Sequence, residues 1–378
     1  MAEQKLLHIG LIGFGSMGRT HTWAVRNLPF FYGSLPFSAV TAGVCTTTQE
    51  KSNRVAAEFG IPVAANCEDV LINDPNIDII DVCTPNNCHY ATVKKALAAG
   101  KHVLCEKPLC LTLAEAEELA ALEKQSGKTC GMVFNNRHLA PCMRAKQLID
   151  EGRLGSIISY HAVYRHNSCL DPARHAGWKQ DRNICGGGTL FDLGSHVIDL
   201  MSWLCGRMAR VAGHAQIVCP THPDANGNLW QTNADEAFYL TAETESGAVG
   251  TMEFSKVALG ANDDLAFEIY GTRGSLRFSL MEPDWLYFYD AATGDGALGG
   301  TKGYTRIECV GRYPGMIFPS PKAPAGWLYG HLHSMYTFLS AVADHKPFSP
   351  SLSDGAAVQA VLEAAGRYRQ ELGAVPPC

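Results

Sequence analysis

The sequence lacks the features of membrane-spanning, secreted and nucleic-acid-binding proteins. No apolar run approaches the roughly 18 residues that span a bilayer. The run over residues 6–12 is interrupted by His8 and Gly10, which makes it a poor signal peptide. The 31 basic and 37 acidic residues give a net charge of −6, and no region is strongly basic. We therefore expect neither a membrane nor a nucleic-acid partner.

The fourteen cysteines form no disulfide or metal-binding pattern. They are spread singly, mostly in apolar stretches such as Gly43-Val44-Cys45, and no Cys-x-x-Cys occurs. Disulfide scaffolds are short secreted chains, whereas this chain has 378 residues, of which 46% are hydrophobic and 18% charged. We interpret the cysteines as small buried hydrophobes in a reducing cytoplasm. The sequence thus predicts cytoplasmic localisation and no metal.

The first 135 residues alternate short apolar runs with amphipathic stretches. The predicted strands are 7–12, 39–44, 77–83, 102–105 and 130–134, and the predicted helices are 17–27, 49–59, 89–99 and 112–125. Strands that are apolar throughout are buried on both faces and therefore parallel. Their alternation with helices predicts an α/β, doubly wound Rossmann domain over residues 1–135.

Residues 136–378 have a different pattern, with runs of strands and few helices between them. The predicted strands are 157–165, 209–218, 237–244, 249–254, 265–270 and 285–289, the predicted helices are 190–204, 332–343 and 355–372, and 291–330 is a predicted long loop. This pattern predicts an α+β domain with a mainly antiparallel sheet. The C-terminal helices could pack back on the Rossmann domain.

The segment Gly13-Phe14-Gly15-Ser16-Met17-Gly18 is a G-x-G-x-x-G motif between a predicted strand and a predicted helix. Gly13 allows the tight turn, Gly15 lets the backbone approach a diphosphate, and Gly18 lets helix and strand pack closely. The diphosphate would lie at the helix N-terminus, where free N–H groups favour negative charge. We therefore predict a bound dinucleotide contacted by all six residues.

The residues expected at the ribose leave NAD and NADP open. An NAD site usually has an acid at the end of the second strand, but here Thr46 and Thr47 occupy that place and the first acid is Glu50. A 2′-phosphate could be accepted among these hydroxyls, near Lys51 or Arg54.

Two further turns follow predicted parallel strands at their carboxyl ends, where such sheets bind ligands. The first contains Thr84 and Pro85 and continues to Asn87 and His89; the second is Glu106-Lys107-Pro108. Pro108 keeps Lys107 out of the helical region, which can direct its ammonium towards the cofactor.

A second polar cluster follows the glycine triplet 186–188. Asp192 and His196 are four residues apart and share one face of an otherwise apolar predicted helix. Beside a nicotinamide, these residues fit alcohol oxidation. His196 would be the general base, Lys107 would hydrogen-bond the same oxygen, and Asp192 would orient the histidine or hold a neighbouring hydroxyl. The alternative is a structural hydrogen bond.

Together these motifs resemble the Gfo/Idh/MocA oxidoreductase family over nearly the whole chain. The resemblance implies a second domain with a large open antiparallel sheet, through which homodimers or homotetramers form, and hydride transfer on sugars, inositols and related polyols. It implies that Lys107 is the catalytic lysine, often followed by a cis peptide. It also implies that Asp192 and His196 are the family's polar pair, and that Asn87 and His89 line the nicotinamide side. Thr46 departs from the family, in which many members have an acid there.

The remaining site predictions rest on position alone, and each of these residues could equally serve packing. Asn136 is a predicted cofactor contact, and Arg137, Tyr164 and Trp178 are predicted substrate contacts beside Lys107, Asp192 and His196.

We predict a dehydrogenase that acts with NAD or NADP on a secondary alcohol of a sugar, glycoside or cyclitol. One alternative is a redox-neutral enzyme that retains NAD and cleaves glycosides or eliminates a group. Another is a nucleotide-sensing regulatory protein, against which the presence of both Lys107 and His196 argues. A metalloenzyme built on Asp192 and His196 is the least favoured, since no predicted helix carries His-x-x-x-His.

Overall fold

The computed structural model describes residues 5–171, 175–224, 226–320, 323–324 and 326–367. The chain divides into two compact units, Met1–Met143 with Glu308–Gln359, and Arg144–Ile307 with Ala360–Cys378. Among the described residues, no helix is both long and apolar enough to cross a membrane.

The first unit contains a parallel six-stranded sheet, which confirms the predicted Rossmann fold. Its strands are β1 (Lys5–Ile12), β2 (Phe37–Cys45), β3 (Val63–Ala65), β4 (Ile79–Val82), β5 (His102–Cys105) and β6 (Cys130–Met132). They lie in the order β3-β2-β1-β4-β5-β6. The order reverses between β1 and β4, so the ligand crevice of such a sheet lies outside the carboxyl ends of these two strands.

Five helices of this unit connect the strands. They are α1 (Ser16–Phe31), α2 (Gln49–Phe59), α3 (Asp69–Ile72), α4 (Asn86–Ala98) and α5 (Leu113–Ser126). Local capping explains several ends: Thr48 accepts a hydrogen bond from the Lys51 N–H at the start of α2, and Thr112 with Glu115 forms a capping box on α5. Helix α4 begins three residues before its predicted start.

The second unit contains an eight-stranded sheet and a small hairpin. The strands are β7 (Ile157–Arg165), β8 (Met208–Gln216), β9 (Thr221–Pro223), β10 (Leu229–Gln231), β11 (Ala237–Thr244), β12 (Val249–Ser255), β13 (Asp264–Gly271), β14 (Gly274–Ser279), β15 (Trp285–Asp290) and β16 (Thr305–Glu308). The large sheet has the order β16-β15-β14-β13-β7-β12-β11-β8, and β9 pairs with β10. Strand β7 is antiparallel to β13 but parallel to β12, so the sheet is mixed within a mainly antiparallel arrangement.

The remaining helices are α6 (Ala140–Asp150), α7 (Arg182–Cys185), α8 (Ser195–Cys205), α9 (Trp327–Ala343) and α10 (Leu352–Arg367). Helix α9 belongs to the first unit, where Leu332 and Phe338 pack in one core with Leu7 and Ile9 of β1. Residues 368–372 of the predicted last helix lie outside the described residues.

The prediction of one continuous loop over 291–330 was wrong. Strand β16 and the first turn of α9 lie in this stretch. The four-residue strand was not predicted because its neighbours in sequence are rich in glycine. Arg306 of this strand places its guanidinium 3.7 Å from the ring centroid of Trp285.

Candidate active site

The glycine turn after β1 is shaped to receive a diphosphate. Gly13 has a φ of +94°, and a Cβ there would lie 2.4 Å from the carbonyl oxygen of Cys83, so only glycine fits. A Cβ at Gly18 would lie 2.6 Å from the carbonyl oxygen of Gly13. At Gly15, by contrast, a Cβ would meet no described atom within 4 Å. Open space therefore lies above the backbone at the N-terminus of α1, which has no acid in its first turn and suits a dinucleotide.

The other residues of this turn contribute differently. Ser16 is exposed and Met17 is half-buried. Phe14 is buried, with its ring centroid 5.1 Å from that of Phe59. Its ring therefore packs in the core, and its cofactor contact stays a prediction.

At the end of β2 the structure places Thr46 inside the strand–helix turn. Its hydroxyl lies 2.8 Å from Oγ of Ser52 and donates to the carbonyl oxygen of Thr48 at 3.2 Å. Thr47 is exposed. The buried hydroxyl of Thr46 is thus bonded within its own turn, whereas Thr47 presents its side chain outwards.

The turn after β4 leads directly into α4, with Pro85 at the N-cap and Asn87 exposed. His89 is fully buried, and its Nδ1 and Nε2 lie 2.8 Å and 2.9 Å from the carbonyl oxygens of Pro108 and Thr84. Burial lowers the pKa of His89 despite these contacts. The ring thus connects the two predicted cofactor-binding turns, and a direct cofactor contact by His89 stays a prediction.

The turn after β5 fixes Lys107 through its neighbours. Lys107 is half-buried, its peptide bond to Pro108 is cis, and its backbone N–H donates to Oε2 of the buried Glu106 at 3.2 Å. The other carboxylate oxygen, Oε1, lies 3.3 Å from Nε2 of His21. Burial alone would raise the pKa of Glu106, but the neighbouring His21 lowers it to about 2. Glu106 is therefore an anion beside the predicted catalytic lysine.

Asn136 and Arg137 lie in a buried 3₁₀ turn, Asn135–His138. The guanidinium of Arg137 donates to Oγ of Ser349 at 3.2 Å and to Asp354 at 3.3 Å, all within the first unit. These contacts give Arg137 a structural role, and its substrate contact stays a prediction.

In the second unit, the glycine triplet leads into a π-helical turn rather than directly into an α-helix. Gly188 has a φ of +54°, and a Cβ there would lie 2.1 Å from the carbonyl oxygen of Asp235. Asp235 also accepts the Leu190 N–H at 2.8 Å through its side chain. The π-helical turn Leu190–Gly194 follows, and α8 begins at Ser195. The predicted single helix over 190–204 is thus widened where Asp192 lies, a deformation that is frequent at functional sites.

Asp192 lies between two ammonium groups. Nζ of Lys256 lies 2.8 Å from its Oδ2, and Nζ of Lys179 lies 2.9 Å from the same oxygen. Lys256 is buried, which alone would lower its pKa, but the charge and hydrogen bond of Asp192 raise the pKa above its usual value. Trp178 is half-buried, and its ring centroid lies 5.5 Å from Nζ of Lys179. The arrangement holds Asp192 as a carboxylate.

His196 packs against a second acid-centred group. Its ring centroid lies 6.0 Å from that of the buried Tyr164, whose hydroxyl donates to Oδ1 of Asp263 at 2.7 Å. His166 places Nε2 3.0 Å from the same oxygen. Burial tends to raise the pKa of Asp263, but these hydrogen bonds and the charges of His166 and His196 lower it. Asp263 is therefore an anion that can stabilise positive charge on His196.

The sequence analysis missed four polar residues of these clusters: His21, Lys256, Asp263 and Asp81, whose carboxylate oxygens lie 3.0 Å and 2.9 Å from Nδ1 of His21. Asp81 could have been found, because it is the one charge in the otherwise apolar strand β4, and a buried carboxylate needs a partner. His21 follows the glycine motif by three residues, a weaker signal. Lys256 and Asp263 flank a turn, where charged residues are ordinary.

Each unit carries groups of its own that a dehydrogenase uses. The first has a nucleotide turn and an anchored lysine. The second has His196 near the anionic Asp263, and Asp192, whose carboxylate is neutralised by two ammonium groups. A parallel Rossmann sheet with these groups defines a nicotinamide-dependent dehydrogenase that acts on CH–OH groups.

The chain belongs to the GFO/IDH/MocA oxidoreductase family. Residues 7–134 match the oxidoreductase family with an NAD-binding Rossmann fold, and residues 142–277 match the GFO/IDH/MocA C-terminal domain. The family predicted from the motifs is thereby confirmed.

Relatives of this chain include sugar dehydrogenases. Levoglucosan dehydrogenase of Pseudarthrobacter phenanthrenivorans is 29% identical over 378 residues, covering 96% of each chain. A solved structure of levoglucosan dehydrogenase with NADH and levoglucosan superposes with a TM-score of 0.90 at 29% identity, over 96% of this chain and 98% of that one. D-Xylose dehydrogenase of Paenarthrobacter nicotinovorans is 33% identical over 215 residues, 55% of each chain.

Proposed function

We propose that this protein oxidises a secondary hydroxyl of a sugar with NAD, and that Lys107 and His196 act on the hydroxyl oxygen. A full-length relative at 29% identity is a levoglucosan dehydrogenase, which supports a sugar substrate. The family match to an NAD-binding fold and the NADH in the related structure support NAD over NADP.

The side chains divide the chemistry between them. A nicotinamide supplies the acceptor for the hydride when it is bound. His196 takes the hydroxyl proton as general base, and the negative charge of Asp263 favours the imidazolium that forms. The ammonium of Lys107 donates a hydrogen bond to the substrate oxygen and stabilises the charge that develops there. The alcohol thus loses a hydride and a proton and becomes a ketone.

The observation that carries the substrate class is the arrangement around Asp192. Its carboxylate accepts from Lys256 and Lys179, and the side chain remains 16% exposed. A carboxylate so fixed offers a strong acceptor to a sugar hydroxyl, and an analogue that lacks the hydroxyl would leave this acceptor without the hydrogen bond.

The test is a panel of free sugars, anhydro sugars, glycosides and cyclitols, each with NAD and NADP, followed by the absorbance of the reduced nicotinamide. The proposal expects steady-state release of NADH with at least one sugar, and loss of turnover in Lys107→Met and His196→Asn. A glycoside converted without net NADH would support the redox-neutral alternative. Full activity in Lys107→Met would contradict the proposed role of this residue.

We further propose a homodimer or homotetramer formed through the open face of the large sheet, and a cytoplasmic location. Exposed apolar residues on this sheet support the first proposal: Tyr239 and Val249 are 44% and 46% exposed. Thirteen described cysteines are free thiols, which supports a reducing compartment. Light scattering after size-exclusion chromatography tests the oligomer, and fractionation of the producing cell tests the location.

A further inference from the structure

A buried set of three ionisable groups lies behind the turn that carries Lys107. His21 of α1, Asp81 of β4 and Glu106 after β5 are 2%, 2% and 6% exposed. Burying charges is costly unless they are paired. The reaction proposed above uses none of these three side chains to contact the substrate, so their presence requires another explanation.

The histidine ring lies between two carboxylates. Nδ1 lies 3.0 Å and 2.9 Å from the two oxygens of Asp81, within hydrogen-bond distance, and Nε2 lies 3.3 Å from Oε1 of Glu106, an ion-pair distance. Two anions this close to a buried ring favour its charged form, the imidazolium, in which both nitrogens carry protons. Burial alone would lower the pKa of His21, but Asp81 and the neighbouring Cys83 raise it well above its usual value.

Glu106 transmits this interaction to Lys107. Its second oxygen accepts the Lys107 backbone N–H at 3.2 Å. On the other side of the lysine, the Pro108 carbonyl oxygen lies 2.8 Å from Nδ1 of His89. The backbone around Lys107 is therefore held at two points, of which one depends on charge.

A metal ion is the alternative occupant of this cluster. His21, Asp81 and Cys83 bring three ligand atoms within 4.8 Å of one another. However, both oxygens of Asp81 already lie within hydrogen-bond distance of Nδ1. Burial raises the pKa of Cys83 to about 12, so without an ion this residue is a neutral thiol. A proton on Nδ1 accounts for the arrangement without an ion.

We propose that His21 is a positioning residue for Lys107: held as a buried cation between Asp81 and Glu106, it fixes the carboxylate that anchors the Lys107 backbone. The groups facing it are Asp81, Cys83, Glu106 and, from α9, His331, whose ring centroid lies 6.2 Å away. The effect on catalysis rests on the role proposed above for Lys107, whereas the charge of the ring does not.

The first test measures the protonation state of the His21 ring directly. In protein labelled with ¹⁵N in its histidine rings, the His21 signals are assigned by their loss in His21→Gln. We expect both nitrogens to carry protons at about pH 8, where an ordinary histidine is neutral. A neutral ring at that pH, or a signal that changes on treatment with a chelator, overturns the proposal.

The second test separates positioning from folding. Asp81→Asn keeps the side-chain shape and removes the charge, so the ring should lose its second proton at lower pH. We expect kcat to fall at least about tenfold, with KM for sugar and NAD within about threefold, and the decline of kcat at alkaline pH to move to lower pH. The matched control is Asp78→Asn, since Asp78 accepts the backbone N–H of His8 in the same sheet but has no link to Lys107.

The outcomes are distinct. Equal kcat in Asp81→Asn and wild type, with the ring neutralised, refutes positioning. An equal loss in Asp78→Asn shows a general structural effect and also refutes it. Full activity in Lys107→Met refutes the proposed function but leaves the ring spectrum as an independent result. Should Asp81→Asn fail to fold, Glu106→Gln removes the other charge while keeping an acceptor for the Lys107 N–H, and it should give the same shift of the alkaline limb.

Discussion

Replacing Lys256 with Met should destabilise the protein far more than the same change at Lys179. Both ammonium groups lie within 3 Å of Asp192, but the Lys256 side chain is 7% exposed and the Lys179 side chain is 37% exposed. Removing one partner of a buried pair costs about 3–5 kcal/mol because the other charge is left uncompensated. Since Lys179 remains beside Asp192, we expect about 3 kcal/mol for Lys256→Met, and about 1 kcal/mol or less for Lys179→Met.

Urea unfolding followed by intrinsic fluorescence measures both costs, with an unchanged slope as the sign that the compared states are the same. The double variant Asp192→Asn with Lys256→Met leaves no unpaired buried charge from this pair, so it should recover at least about 1 kcal/mol relative to the sum of the single changes. Equal losses in the two lysine variants, or strict additivity in the double variant, would refute the view that Asp192 depends on a buried ammonium.

Three other changes test separate features. Gly15→Ala should leave the free energy of unfolding within about 1 kcal/mol of the wild-type value, because the added Cβ meets no described atom within 4 Å. The same change should weaken NADH binding at least about tenfold in a fluorescence titration. Unchanged affinity would contradict the assigned diphosphate site. Burial lowers the pKa of His333 to about 4, below the 6.5 of the unfolded chain. The contribution of this residue to stability is therefore full above pH 6.5 and should fall by about 3 kcal/mol as the pH drops towards 4. Denaturation at several pH values should show that the free energy of unfolding falls less in His333→Asn than in the wild type. Asp263→Asn should move the acid limb of kcat/KM to lower pH, because the charge that favours protonated His196 is lost. An unmoved limb would show that Asp263 does not act on the base.

Much of the first unit could be predicted because its signals are local. Three features indicate the local structure in which they lie: the G-x-G-x-x-G turn, the apolar parallel strands and the proline after Lys107. Strand β3 was not predicted, because a strand of three residues is too short to show a periodic pattern. The predicted start of α4 was three residues too late, because the first turn of this helix is polar.

The polar partners in the site could not be predicted in the same way. Lys256 meets Asp192 at a sequence separation of 64 positions, and Asp263 meets Tyr164 at a separation of 99. The pairing of β13 with β7 brings Asp263 to Tyr164, and the packing of the π-helical turn against β12 brings Asp192 to Lys256. No spacing in the sequence encodes either contact. The π-helical turn at Leu190–Gly194 was hidden as well, because its apolar pattern also fits an ordinary helix.

The place of α9 in the first core has a consequence for synthesis. Leu332 and Phe338 complete the packing around Leu7 and Ile9, so this core closes only after α9 has been synthesised. A fragment that stops at Met143 would lack this part of the packing and expose apolar surface that α9 covers. We therefore expect the nascent chain to be prone to aggregation until α9 is made.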